Sequence, residues 1–157
     1  MIGRGMFALA LAIAPASSQA DSSPQLRLTP TEIQAFPSIS AGAGTSGIGG
    51  IRTRVLAGDP TKPGFYTIAL SVPANTIIAA HRHRDDRVAT VISGTWYFGY
   101  GTRANNKVKA LAPGSFYTEP GGVSHFARTG AKPVTLYIHG FGPTDTQYED
   151  QAADPRR

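Results

Sequence analysis

The chain alternates short apolar runs with glycine- and proline-bearing breaks, and no long stretch repeats its apolar residues at helical spacing. That pattern predicts an all-β fold, a barrel or sandwich of short strands. The predicted strands cover residues 51–56, 65–72, 76–80, 88–92, 95–100, 108–111, 116–118, 123–127 and 134–139. Between them lie turn signals at Asp59-Pro60, Pro63-Gly64, Ser93-Gly94, Pro113-Gly114 and Pro120-Gly121-Gly122. One short helix is predicted where Thr29 precedes Pro30, as an N-cap followed by a first-turn proline. Residues 38–50 are rich in Gly, Ser and Ala and read as a loop; residues 147–157 are polar and read as a surface tail. There is no internal repeat, so the expectation is one barrel: a tail, helix and loop over 21–50, the barrel over 51–143, and a C-terminal tail over 144–157.

The first twenty residues stand apart from this pattern. Arg4 precedes an unbroken apolar run from Met6 to Ala14, Pro15 ends it, and Ser18-Gln19-Ala20 has small residues at both positions of an A-x-A-like cleavage site. This predicts a secretory signal peptide over residues 1–20, cut before Asp21, and a periplasmic or secreted product. The apolar run is far short of the ~20 residues that span a bilayer, so no membrane insertion is expected after cleavage.

The net charge of +5 raises the question of nucleic acid, but the basic residues are scattered and interleaved with acids such as Asp85 and Asp86. No stripe or block concentrates them, so no nucleic-acid partner is expected. The chain has no cysteine. Disulfides, thiolate metal sites and cysteine nucleophiles are excluded, and any metal must sit on nitrogen and oxygen ligands.

Two of the four histidines form His81-Arg82-His83. On a strand, residues two apart share a face, so these imidazoles can converge on one point. His125 follows a Pro-Gly-Gly turn in another predicted strand. Three convergent imidazoles suit a divalent ion of Fe, Mn, Zn or Ni, and open positions on such an ion mark catalytic sites. His139 shares a strand face with Tyr137; facing inward it is a hydrogen-bond partner or proton carrier of the centre, facing outward a surface residue. Trp96, Phe98 and Tyr100 share one face of their strand and Tyr97 lies on the other, for core packing, a dimer contact or a pocket wall.

These residues resemble the two motifs of the cupins. The second motif, G-x5-P-x-G-x2-H-x3-N, runs Gly114, Pro120, Gly122 and His125 with each spacing intact and Thr129 in place of the final Asn. The first, G-x5-H-x-H-x3,4-E-x6-G, runs His81, His83 and Gly94, with Asn75 in place of its first Gly. The wider chain is similar to small secreted bacterial proteins with one cupin domain, through Val91-Ile92-Ser93-Gly94-Thr95, His125-Phe126-Ala127 and His139-Gly140-Phe141-Gly142-Pro143. The resemblance implies a double-stranded β-helix (jelly-roll) barrel, a homodimer, and a small-molecule substrate or ligand. It implies metal on His81, His83 and His125.

One departure bears on the chemistry. The Glu that the resemblance implies as a metal ligand is Arg87, which stays protonated and has no lone pair to give. Asp85 or Asp86 could reach in as a ligand, but both fall off the motif spacing and are expected on the rim. Glu119, in the second motif, is the better candidate and either ligates in its place or pairs with Arg87. Glu119, His139 and Arg87 are therefore the candidate catalytic residues beside the metal ligands. Three-histidine cupins resemble dioxygenases, and other cupins are isomerases, decarboxylases or lyases. The alternatives to an enzyme are a ligand- or metal-sensing cupin and a metal-free one.

Overall fold

The computed structural model describes residues 24–40, 42–105 and 107–157. The leader expected over residues 1–20 lies outside the described residues. Among the described residues one α-helix, α1 (Pro30–Ala35), is followed by ten strands and a closing 3-10 turn (Gln151–Ala153): β1 (Arg52–Ala57), β2 (Gly64–Val72), β3 (Ile77–Arg82), β4 (Arg87–Ser93), β5 (Trp96–Tyr100), β6 (Lys109–Leu111), β7 (Phe116–Glu119), β8 (His125–Thr129), β9 (Val134–Gly142) and β10 (Gln147–Tyr148). Thr29 caps α1 through a reciprocal box with Glu32, which explains why so short a helix starts there. Among the described residues no helix is long and apolar enough to cross a membrane.

The strands form two antiparallel five-stranded sheets, in the order β1-β2-β9-β4-β7 and β10-β3-β8-β5-β6. Their facing sides enclose the core. In β9, Val134, Leu136 and Ile138 point inward and are buried, while Thr135, Tyr137 and His139 point outward and are only partly covered. Opposite them the second sheet supplies Ile78, Trp96, Phe98 and Ala127. Each large apolar side chain buried this way contributes about 1.5–3 kcal/mol. Where β4 turns into β5, Gly94 has φ +78°, and a Cβ there would lie 2.3 Å from the Pro133 carbonyl oxygen. Asn75, at the position of the first-motif glycine, also adopts positive φ, a conformation that asparagine tolerates better than most residues.

One segment differs from expectation. Residues 144–157 do not form a surface tail from their start: β10 pairs with β3, placing Tyr148 opposite His81, and Tyr148 is buried. The segment reads as polar, but the Thr146 and Tyr148 hydroxyls are buried with partners. Tyr148 donates its hydroxyl to the Ser46 carbonyl at 2.6 Å, and Thr146 donates to the Thr45 carbonyl at 2.8 Å. The other ends of those bonds lie in the loop expected over residues 38–50, where Thr45 and Ser46 are buried against the barrel.

Candidate metal centre

The backbone of β3 carries the feature that builds the centre. In its pairing with β8, Ile78 stands opposite Ala127 and His81 opposite His125, so β3 has one extra residue between those pairs. Such a bulge reverses which alternate side chains face inward. Ile78 and His81, three apart, therefore both point into the barrel, and His83 follows two residues on. All three histidines are buried. The His81 and His125 rings lie 4.5 Å apart between centroids, and His83 lies 5.0 Å from His81 and 5.1 Å from His125.

Each ring is oriented by a backbone carbonyl. Nδ1 of His81 lies 2.8 Å from the Ala79 oxygen, within the bulge itself; Nδ1 of His83 lies 2.5 Å from the Asp145 oxygen, and Nδ1 of His125 lies 3.1 Å from that of Val123. A carbonyl only accepts, so each Nδ1 carries the proton and each Nε2 presents a lone pair. Burial pushes the His81 imidazole down to about 4, with the neighbouring His125 adding to the effect. Burial and then the Arg87 charge lower His83, and burial also lowers His125 despite the Glu119 carboxylate beside it. At neutral pH all three are neutral donors of an electron pair.

The other side of the centre comes from the first sheet. Arg87 on β4 and Glu119 on β7 stand opposite each other in register. Arg87 donates from Nε to Glu119 Oε2 at 2.7 Å and from Nη2 to the same oxygen; its Nη1 donates to the Gly44 carbonyl at 2.7 Å. Of the two roles open for Glu119, the structure shows the pairing. Burial acts to raise the Glu119 pKa, but the Arg87 charge and hydrogen bond, together with His125 and His83, outweigh it and hold the carboxyl below the usual carboxylate range. Arg87 Nη2 also donates to His83 Nε2 at 2.6 Å. The guanidinium thus reaches the very lone pair that a metal would use. Glu119 Oε2 lies 3.7 Å from His83 Nε2 and 3.8 Å from His125 Nε2, on the edge of the same space.

That space is a cavity of about 20 Å³, room for one water-sized body. His81, His125, Arg87, Glu119, Trp96 and Tyr117 contribute to its wall. Three polar atoms on these residues are buried with no hydrogen-bond partner: His125 Nε2, the Tyr117 hydroxyl and the Trp96 indole N–H. Buried polar groups are normally satisfied; the Tyr117 hydroxyl has Trp96 and Glu119 as neighbours, which leaves the His125 Nε2 lone pair as the clear orphan facing room for a small polar or charged guest.

The three histidines offer ligand nitrogens within 4.8 Å of one another. Nitrogens about 2.1 Å from one ion stand at most about 4 Å apart, so small ring rotations close the set. Neutral imidazoles, fixed tautomers and an orphaned inward lone pair fit a divalent cation, provided Arg87 gives up its bond to His83.

His139 does not join the centre. Ile138 and Gly140 face inward on β9, so His139 faces outward, where its ring stacks on Phe65 and its Nδ1 lies 3.0 Å from Thr67 Oγ1. A role in the centre is corrected by strand alternation alone. Asp85 is buried but already engaged, accepting from the Tyr66 hydroxyl at 2.7 Å. Gly140 leaves room for this pair, since a Cβ there would meet the Tyr66 hydroxyl at 2.4 Å. Sequence reasoning did not single out Tyr117 as a wall of the site. Its signal was its place two residues before Glu119 on a strand, which puts both on one face.

No family model matches the sequence, and no curated protein sequence matches it. Solved structures do. The polyketide cyclase RemF from Streptomyces resistomycificus is similar with a TM-score of 0.64 at 18% identity, over 84% of this chain and 90% of that one. An RmlC-like cupin from Shewanella frigidimarina is similar with a TM-score of 0.53 at 16% identity, over 69% and 85%. Fe(II)-HppE matches with a TM-score of 0.55 at 15% identity, over 69% of this chain and 57% of that one. The fold is therefore that of the cupins, a single all-β jelly-roll barrel. Its interior holds a cluster of three histidines able to bind a metal.

Proposed function

We propose that the protein is an exported cupin enzyme that holds one divalent metal ion on His81, His83 and His125 and acts on a small organic substrate. The observation that carries this reading is the buried, unpartnered Nε2 of His125, aligned with two further imidazoles whose protons are all tied to backbone carbonyls. Among the similar structures, HppE was solved in its Fe(II) form and RemF is a cyclase, so the same fold hosts metal-dependent and ring-forming chemistry elsewhere. A metal here would supply Lewis acidity or oxygen activation at open coordination positions. The chain's own residues supply the rest. Arg87 holds the Glu119 carboxylate charged at the edge of the site. Tyr117 and Trp96 present donors to whatever oxygen-bearing group enters. The sequence of residues 1–20 supports export to the periplasm or beyond. The exposed Phe65 and Phe141, paired on the outer face of the first sheet, support a homodimer.

One observation favours a second reading. Arg87 Nη2 at 2.6 Å from His83 Nε2 makes Arg87 itself a candidate permanent occupant, leaving a metal-free binding cupin. Anomalous diffraction from crystals soaked in Mn²⁺ or Zn²⁺ separates the two. The proposed function requires a peak at about 2.0–2.2 Å from the three Nε2 atoms, with Arg87 withdrawn. Crystals with no peak and Arg87 still on His83 would establish the second reading.

A further inference from the structure

The two sheets part beside the histidine cavity, at the seam between the edge strands β6 and β7. On one side of this seam the Tyr100 hydroxyl donates to the Thr118 carbonyl at 2.7 Å, joining the sheets. Next to that bridge lies a cleft of about 470 Å³, within the range of small-molecule sites. Phe98, Tyr100, Leu111 and Phe116 give it apolar walls, and Phe116 is 62% exposed. Lys107 and Lys109 supply its charge, and no acidic residue is among the described residues that line it. The strand period explains the placement of Lys109. Lys109 shares the face of Leu111, which is buried in the core, so its side chain continues the inward face of β6 over the cleft. Lys107, just before β6, lines the same cleft.

We propose that this cleft binds a flat apolar small molecule carrying an anionic group, an aromatic or polycyclic carboxylate. Its ring body packs against Phe116 and Tyr100, and its anion meets Lys107 and Lys109. The cleft is one ring away from the histidines. Phe98 and Tyr117 line both the cleft and the inner cavity, their rings are 4.4 Å apart between centroids, and Phe98 lies 5.4 Å from His125. That the bound molecule is also the substrate rests on the proposed function; that it binds does not.

The test uses 2-naphthoate as the probe, titrated into the metal-free full chain by calorimetry. Trp96, the single tryptophan, lines the inner cavity beside Phe98, so its emission provides a second readout. The expected result is saturable one-to-one binding that weakens with added salt. Lys107→Gln with Lys109→Gln should weaken naphthoate about tenfold, as two partly screened charges imply. In the wild type, neutral 2-naphthylmethanol should bind more weakly than naphthoate by a similar factor, and it should be indifferent to the lysine changes. Phe116→Ser, at an exposed position that leaves the core intact, should weaken both probes. Equal affinity for the acid and the alcohol would overturn the proposal. So would unchanged binding in the lysine variant, even if that variant now self-associates, because the lysines would then only guard the β6 edge. A dimer that excludes naphthoate and becomes monomeric on Phe116→Ser would also overturn it, since a second copy would be the occupant. His125→Ala should keep naphthoate affinity. Failure of the metal centre and failure of this cleft are thereby read from different variants.

Discussion

The two sheets bring opposite chemistry to one cavity. The sheet containing β3 and β8 supplies neutral lone pairs: His81 and His125 from the strands and His83 just beyond β3, each held by a short bond to the backbone. The sheet containing β4 and β7 supplies Arg87 and Glu119, a closed ion pair facing those lone pairs. One half is organised to receive a cation. The other half already delivers one, as a guanidinium lying on His83. The difference teaches that an external cation entering this centre would have to displace an internal one.

The largest effect should come from breaking the charged half. Glu119→Gln leaves Arg87 a buried cation without its carboxylate, and chemical denaturation should show a loss of about 3–5 kcal/mol. A loss under about 1 kcal/mol would mean that water already compensates Arg87. Arg87→Met is the sharper variant, because it removes the internal cation and frees both His83 Nε2 and Glu119. The metal-free protein should lose stability. Metal affinity, measured by titration calorimetry, should rise about tenfold or more as Glu119 becomes available to the ion. Unchanged affinity would show that Arg87 and metal do not compete.

Acid probes the histidine half. All three imidazoles have folded pKa values below the unfolded value, His81 at about 4 against an ordinary 6.5. Between those values the unfolded chain binds more protons than the folded one, so stability falls as pH drops from about 6.5 towards 4 and is unaffected by these groups above that window. Thermal melts of the metal-free protein across that range should show the fall, and replacing His81 with Gln should flatten it. The smallest effect belongs to the outer face. His139→Ala should leave metal affinity unchanged and alter stability by no more than about 0.5 kcal/mol, as for ordinary surface positions.

Much of this was legible in the sequence. The strands followed from short apolar runs between turn residues, and the histidine set followed from His81-x-His83 together with His125 after its Pro-Gly-Gly turn. What was not legible depends on register and on non-local burial. The β3 bulge, which turns His81 inward, leaves no mark in Ile77-Ile78-Ala79-Ala80. The outward direction of His139 depends on which parity of β9 meets the core. Thr146 and Tyr148 look like tail residues because polar composition says nothing about partners more than a hundred positions away, Thr45 for Thr146 and Ser46 for Tyr148. The pairing of Arg87 with Glu119 was one of two open roles, decided by the β4–β7 register.

The most direct test is the metal content of the protein, purified without added metal or chelator and measured by elemental analysis beside His125→Ala. The account predicts one equivalent of a divalent ion per wild-type chain and none in the variant, whose orphaned Nε2 is gone. A wild-type protein without metal, or a variant that keeps the full equivalent, would contradict it.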